Sequence, residues 1–301
     1  MIILDYNQIV LSVLTTPEFK SQLSSEDTDI IKNLVRHATL STILSYKKKY
    51  SSKYGQLVIA CDGRKYWRKE HFPYYKSGRK KSRDSSELNW KLIFDCLSEI
   101  RDDLNKVFPY QVIHLDRTEA DDIIAVLSEW LQNNELVTQG LESEPQQILI
   151  VSSDKDFKQL HLYGNVKQWS PIQKKFVTST KKEIQEYKIQ HIVKGDAGDG
   201  VPNILSNDAV LITDGVRQKP VSSKRLDEFY DLGRDACRTD EERRNWDRNE
   251  LLVSFTRIPD DIKRGIINEY INNKPRTDRM GIMNYLIKNK CRLLLNNLEE
   301  F

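Results

Sequence analysis

Four short apolar runs punctuate the first half of the chain, and each runs straight into a polar residue. They are "IIL" before Asp5, "QLVIAC" before Asp62, "YQVIHL" before Asp116 and "QILIV" before Ser152. Uninterrupted aliphatic runs of this length read as strands buried on both faces. Between them, Thr28–Tyr50, Glu87–Val107 and Glu119–Asn133 carry apolar residues three and four apart, such as Ile30, Leu34 and Val35, or Ile124, Leu127 and Leu131. That is the period of a helix with one buried face. The alternation predicts an α/β fold, a mostly parallel central sheet flanked by helices, with ligands beyond the carboxyl ends of the strands. "QNNELVTQGLESEPQQ" predicts a polar surface excursion, and "NVKQWSPIQKKFVTS" an extended pair or hairpin with Pro171 near its turn. From about Lys181 the texture becomes helical, which divides the chain into an α/β core over 1–180 and a helical region over 181–301.

Composition sets bounds on this picture. A chain of 301 residues with 39% hydrophobic and 30% charged residues has the material for a real core and is not a disordered chain. No apolar run approaches the ~20 residues of a membrane helix, so no membrane partner is expected. The opening "MIILDYNQIV" has no basic region or cleavage site and does not read as a secretory signal. Cys61, Cys96, Cys237 and Cys291 form no CxxC pair, which predicts free thiols in a reducing compartment and argues against a zinc site.

Charge changes the picture further. The net charge of +3 conceals a block with nine cations (Arg64, Lys65, Arg68, Lys69, Lys76, Arg79, Lys80, Lys81, Arg83) against one acid, Glu70. Taken alone, such a run reads equally as a solvated loop or as a phosphate-handling surface. Tyr66, Trp67, Phe72, Tyr74 and Tyr75 are interleaved with it. Aromatic faces with cations around them suit single-stranded nucleic acid, although at least two of the five are expected to be packing residues.

Acids occur where the strands end. Asp5 and Asp62 close the first two strands, Glu119, Asp121 and Asp122 open the helix after the third, and Asp154 and Asp156 follow the fourth. Asp196 and Asp199 sit in the Gly-rich "KGDAGDGVPN". Each has an ordinary reading: Thr118–Asp121 and Ser153–Asp156 fit capping boxes, Asp5 and Asp62 strand-end turns, and Asp196 and Asp199 a helix-terminating turn. The group is harder to explain that way, because a parallel sheet delivers all these acids to one edge. Crowded carboxylates repel unless cations neutralise them. With no histidine or cysteine accompanying the cluster, hard Mg²⁺ or Mn²⁺ is the expected cation, and two such ions about 4 Å apart hydrolyse phosphodiesters.

The set "ILDYNQI", "ACDGRKYWRKEHFPYYKSGRK", "TEADDIIAVL", "ILIVSSDKDFKQL…NVKQWSP" and "KGDAGDGVPN" resembles the 5′-nuclease, or flap endonuclease, family, and within it the T-even phage ribonuclease H branch. The match is strong over about residues 1–200. The resemblance implies a metal-dependent 5′→3′ exonuclease and flap endonuclease that removes lagging-strand RNA primers in DNA replication. It implies two Mg²⁺ ions, with Mn²⁺ as a substitute. Asp62, Glu119, Asp121, Asp154 and Asp156 would form an inner cage with Asp5 beside it, while Asp122, Asp196 and Asp199 would serve the second ion. Lys76 and Arg79 match the family's Tyr-Lys-x-x-Arg element and would polarise the scissile phosphate beside Asp121. Residues 64–84 would form an arch or bridge over a 5′ strand. The implied partners are DNA and RNA–DNA hybrid with a 5′ end or flap, and a single-strand-binding protein or sliding clamp. The implied state is a monomer in the cytoplasm of a host cell.

"GVPNILSNDAVLITDG" lacks the Gly-x-Gly turn of the family's helical hairpin, which puts a hairpin-bound ion in doubt while duplex contact near Lys194–Lys224 stays expected. The tail "CRLLLNNLEEF" shows no clear Gln-containing clamp motif. Two other readings stay open: a PIN-type ribonuclease and a non-catalytic nucleic-acid-binding scaffold. A dinucleotide-binding oxidoreductase is disfavoured, because no G-x-G-x-x-G follows a strand.

Overall fold

The structure, a computed structural model, describes residues 1–25, 27–134, 136–139, 142–276 and 278–301. The four apolar runs form β1 (Ile2–Asp5), β2 (Leu57–Cys61), β3 (Gln111–His114) and, after a small hairpin, β6 (Ile148–Val151). That hairpin, β4 (Leu136–Gln139) paired antiparallel with β5 (Glu142–Pro145), lies where the sequence predicts only a polar excursion. Its residues lack the apolar alternation that marks a half-buried strand, so periodicity gives no sign of it. β7 (Val166–Ser170) and β8 (Lys175–Val177) are the predicted hairpin, and β7 also adds to the main sheet in parallel with β6.

The main sheet has the order β3-β2-β1-β6-β7-β8, parallel except for β8 at its edge. Successive residues of a strand face opposite sides, and here both sides are covered. Ile2, Leu4, Leu57 and Ile59 join a core with α1 (Tyr6–Leu14), α2 (Pro17–Leu23), α3 (Thr28–Tyr54) and α6 (Trp90–Val107). Met1, Ile3, Val58 and Ala60 join the opposite core, with α7 (Ala120–Trp130) and, from far along the chain, α11 (Asp260–Asn272). α12 (Arg279–Lys288) and α13 (Arg292–Leu295) return to the first core through Ile282, Leu286 and Leu294.

A third core unites α8 (Lys181–Lys194), α9 (Ser223–Leu232) and α10 (Asp240–Val253) with Phe72 and Tyr75 of the basic block. That block holds two short helices, α4 (Trp67–His71) and α5 (Gly78–Asp84). Among the described residues no helix is long and apolar enough to cross a membrane, and all four cysteines are free and buried.

Candidate active site

The strand order places the site. From β1 the chain builds outward to β2 and β3 on one side and later to β6 and β7 on the other, so a crevice opens between the carboxyl ends of β1 and β6. Asp5 ends β1 and caps α1, accepting the Gln8 N–H at 3.3 Å through Oδ1. Its Oδ2 accepts from Ser152 Oγ across the crevice at 2.8 Å. Asp62, just past β2, accepts from the Ala120 N–H at 2.9 Å and from Asn7 Nδ2 at 2.8 Å. Asp121 in the first turn of α7 and Asp154 beyond β6 complete the group, and both line a cavity of ≈ 230 Å³ with Asp156, His191, Asp196 and Asp199.

Local capping differs from the sequence reading by one residue at both acid pairs. Thr118 gives its carbonyl to the Gly63 N–H at 2.7 Å and turns its hydroxyl to Asp116, so α7 begins after Glu119. Asp122 closes the box instead, accepting the Glu119 N–H at 3.0 Å. Asp121 is thereby left free of capping, and among the described residues no hydrogen bond or ion pair engages it. After β6, Asp154 Oδ1 accepts the Asp156 N–H at 2.8 Å, while Ser153 turns away to Ser170.

The electrostatics separate these acids into two kinds. Burial, then the charges of Asp62 and Asp154, push Asp5 up to about 7. Burial and the neighbouring Asp156 push Asp154 up to about 6. Asp121 is raised well above the usual carboxylate range by burial, Asp154 and Asp5. These three lack a compensating cation, and their donor set is all oxygen, which fits a hard divalent ion. Glu119 behaves oppositely: burial alone would raise it, but Lys76 and Arg68 outweigh burial and hold it below its ordinary value.

The carboxylates share one edge without closing on one point. Among the described residues no three His, Cys, Asp or Glu side chains enclose an ion position. The expected inner cage of Asp62, Glu119, Asp121, Asp154 and Asp156 is therefore not closed, and all of these except Asp121 have other polar partners. Glu119 is taken by Lys76, by Arg68 at 2.6 Å and by the Tyr75 hydroxyl at 3.2 Å. Asp122 is fully buried, held by Arg68 at 2.8 Å and by Trp67 Nε1 at 3.1 Å, and does not line the acid cavity.

The nine cations of the basic block divide similarly. Arg68 is only 3% exposed and donates to Glu119, Asp122 and the Leu252 carbonyl, so it is a structural counter-ion and not a phosphate ligand. The sequence reading missed this because a charge run inside a helix of five residues gives no sign of which side faces inward. Lys76, with a positive φ of 56°, is likewise turned in to Glu119 and Asp199. Arg79 reaches Asp199 at 2.5 Å with its side chain 45% exposed.

Arg64, Lys65, Lys69, Lys81 and Arg83 are exposed, Lys81 pairing with Asp214 at 3.1 Å and Arg83 lying over the Phe94 ring; the Lys80 side chain lies outside the described residues. Of the interleaved aromatics, Trp67, Phe72 and Tyr75 are buried packing residues. The block closes onto the Asp196–Gly200 turn, where Lys76 N–H donates to the Asp199 carbonyl at 2.6 Å. Gly200 has φ +73°, and a Cβ there would meet the Tyr74 carbonyl at 2.7 Å, so this approach requires glycine.

A histidine does accompany the cluster, against the sequence expectation. His191 lies at ion-pair distance from both Asp156 (Nδ1, 3.1 Å) and Asp196 (Nε2, 3.4 Å). Tyr187, four residues earlier on the same face of α8, donates to Asp156 Oδ1 at 2.6 Å. That i, i+4 spacing immediately before the Gly-Asp turn was the available signal. Burial would lower His191, but Asp156 and Asp196 outweigh it and bring it up to about 10, while the Asp196 carboxyl is held down to about 2 chiefly by His191.

A group raised on folding stabilises below its unfolded value and loses that contribution as pH climbs through its folded one. In metal-free protein the melting temperature of wild type minus His191→Gln should therefore be largest below pH about 6.5 and shrink toward pH about 10. Thermal melts across that range check it, and a difference independent of pH contradicts it.

Comparison with known proteins decides the family. Residues 15–191 match the 5′-3′ exonuclease N-terminal resolvase-like domain, and residues 182–301 match the T4 RNase H C-terminal domain. The chain belongs to the 5′-3′ exonuclease family. Ribonuclease H of Enterobacteria phage T4 is 32% identical over 99% of this chain and 95% of its own length. The flap endonuclease Xni of Shewanella woodyi is 29% identical over 46% of this chain and 49% of its own. Among solved structures, phage T5 5′-exonuclease with bound zinc superposes at TM-score 0.60 with 16% identity, covering 91% of this chain and 99% of that one. A phage T5 flap endonuclease complexed with DNA and metal ions gives TM-score 0.60, 16% identity and coverage of 90% and 99%. At such identity these structures establish the exonuclease fold, and membership in the family makes this chain a nuclease.

Proposed function

We propose that this nuclease hydrolyses 5′-ended strands of DNA and RNA–DNA duplexes, exonucleolytically and at 5′ flaps, and that its task is removal of lagging-strand RNA primers in DNA replication. The observation that carries this reading is the meeting of Asp5, Asp121 and Asp154 at the β1/β6 crevice, without a cation of their own, beside Lys76 and Arg79. In this reading Asp121 and Asp154, with Asp5, Asp62 and Glu119, would hold one Mg²⁺, and Asp156, Asp196 and Asp199 a second, Mn²⁺ substituting. Asp122 is left out, because Arg68 and Trp67 hold it away from the cavity, whereas Glu119 would join the ion by giving up Lys76. The chemistry supplied by the bound ions is activation of a water and stabilisation of the leaving oxygen.

The chain's own residues do the positioning. His191 and Tyr187 orient Asp156, and Ser152 orients Asp5. Arg79, half exposed and shared between the acid cavity and the hollow beside Asp62, is placed to draw a phosphate inward. Residues 64–84 guide the 5′ strand, 1–180 form the nuclease core and 181–301 the duplex-binding region. The protein would act as a monomer in the host cytoplasm, with a single-strand-binding protein or clamp as partner.

The test is a comparison of 5′-labelled flap duplex, nicked RNA–DNA hybrid and free single-stranded RNA, each with Mg²⁺. Short 5′ products from the first two, released at least about tenfold faster than from the third, are expected. Preferential cleavage of free RNA would move the reading to a PIN-type ribonuclease.

A further inference from the structure

The acid cavity shares a lining residue with each of two further hollows. Arg79 is common to it and to the ≈ 430 Å³ hollow lined by Asp62, Arg64 and Arg83. Asp154 is common to it and to a ≈ 280 Å³ groove between the turn after β6 and the β7–β8 hairpin. Apart from Asp154 and its neighbour Ser153, the residues of this third hollow take no part in the site described above. Its cations are Lys155, Lys158 and Lys175, and its rim carries Phe176.

We propose that this groove is a second nucleotide-binding subsite, holding the substrate strand on the side of the scissile phosphate opposite the basic block; the assignment rests on the nuclease reading above. Three observations support it. The acids repel phosphates, so attraction has to come from cations flanking them, and an enzyme that cuts inside a strand holds both sides of the bond. Arg68 and Lys76 have their charges taken by Glu119, Asp122 and Asp199, which leaves the half-exposed Arg79, itself shared with Asp199, as the cation inside the acid cavity that can reach a phosphate. Lys155, Lys158 and Lys175 form no ion pair among the described residues, and Lys158 sits over the Tyr187 ring at 5.1 Å.

Phe176 supplies the other half of a nucleotide site. It is 44% exposed, yet its ring is backed edge-on by Trp169 at 5.1 Å and by Tyr50 at 6.3 Å. Lys49 lies over the Trp169 ring at 4.1 Å. Phe176 faces the side of β8 opposite Lys175, towards Trp169 and Tyr50, so a strand crossing this sheet edge meets the lysines through its phosphates on one side and the open face of the ring through a base on the other.

The experiment uses the full chain with Mg²⁺ and the labelled flap duplex, in Lys155→Ala/Lys175→Ala, in Phe176→Ala and in Phe176→Tyr. A control pair, Lys20→Ala/Lys32→Ala, removes the same charge from an exposed surface elsewhere. Melting temperatures within a few degrees of wild type establish folding. The lysine pair and Phe176→Ala are each expected to raise KM roughly tenfold with kcat within twofold, Phe176→Tyr restoring it. The lysine pair should also lower the slope of log affinity against log salt by about 2, measured by anisotropy in Ca²⁺. An unchanged KM and slope while wild type cleaves overturns the subsite, as does an equal effect from the control pair. Absence of wild-type cleavage overturns the nuclease reading instead, and the Ca²⁺ binding series still decides the groove.

Discussion

Asp154→Asn is expected to lower cleavage by about 10³-fold and, in metal-free protein at pH 8, to raise the melting temperature. The two effects have one cause. Asp154 is raised to about 6 and Asp5 to about 7 from 3.8, so between about pH 4 and 7 the folded protein holds protons that the unfolded chain has released. Stability therefore falls as pH rises through that window; the cost is absent below about 4 and complete above about 7. For Asp154 it is roughly 3 kcal/mol, and the neutral amide removes it together with the negative charge that holds a cation. Melting curves of wild type and variant at pH 5 and pH 8, with and without Mg²⁺, separate the outcomes. Wild type should gain more from Mg²⁺ at pH 8 than at pH 5, and the variant should gain little at either. A variant that is less stable at pH 8 without metal would show that Asp154 is a cap first.

Arg68→Met carries the largest expected stability cost, about 3–5 kcal/mol, because it leaves buried Asp122 without a cation and Glu119 with Lys76 alone. Glu119 and Asp122 are 1% and 0% exposed, and the one guanidinium serves both while its Nε donates to the Leu252 carbonyl at 2.8 Å. This side chain ties the basic block to α7 and to α10 at once. Lysine does not substitute, since a single ammonium lacks the planar fork that meets two acids and a carbonyl. Urea unfolding measures the loss. Adding Asp122→Asn to Arg68→Met should recover much of it, because the neutral amide no longer needs the cation while Glu119 keeps Lys76. A loss under 1 kcal/mol for Arg68→Met alone would mean that water reaches this cluster.

The strands were legible because aliphatic runs buried on both faces have few alternatives, and Ile2–Asp5, Leu57–Cys61, Gln111–His114 and Ile148–Val151 fall on the four predicted runs. The meeting of the acids followed from the parallel topology alone. What the sequence could not show was the direction in which each charged side chain turns. Arg68 and Lys76 read as exposed phosphate ligands because charge runs usually face water, yet buried acids on α7 draw them inward. Asp121 and Asp122 are adjacent and chemically identical; helical geometry sends one to the cavity and the other to Arg68. His191 was overlooked because it sits 35 residues beyond Asp156 in the chain and meets it only through the packing of α8. Lys155, Lys158 and Lys175 drew no notice because they are scattered along the chain and converge only when the β7–β8 hairpin folds beside Asp154.

The account stands on the claim that these carboxylates bind the cation that cleavage requires. Calorimetric titration of metal-free protein with Mn²⁺ at pH 7.5, beside Asp121→Asn, tests it most directly. Binding of at least one ion to wild type, weakened at least tenfold in the variant, with flap cleavage lost in EDTA and restored by the same ion, is the predicted result. Equal binding by both proteins, or cleavage that persists in EDTA, would contradict it.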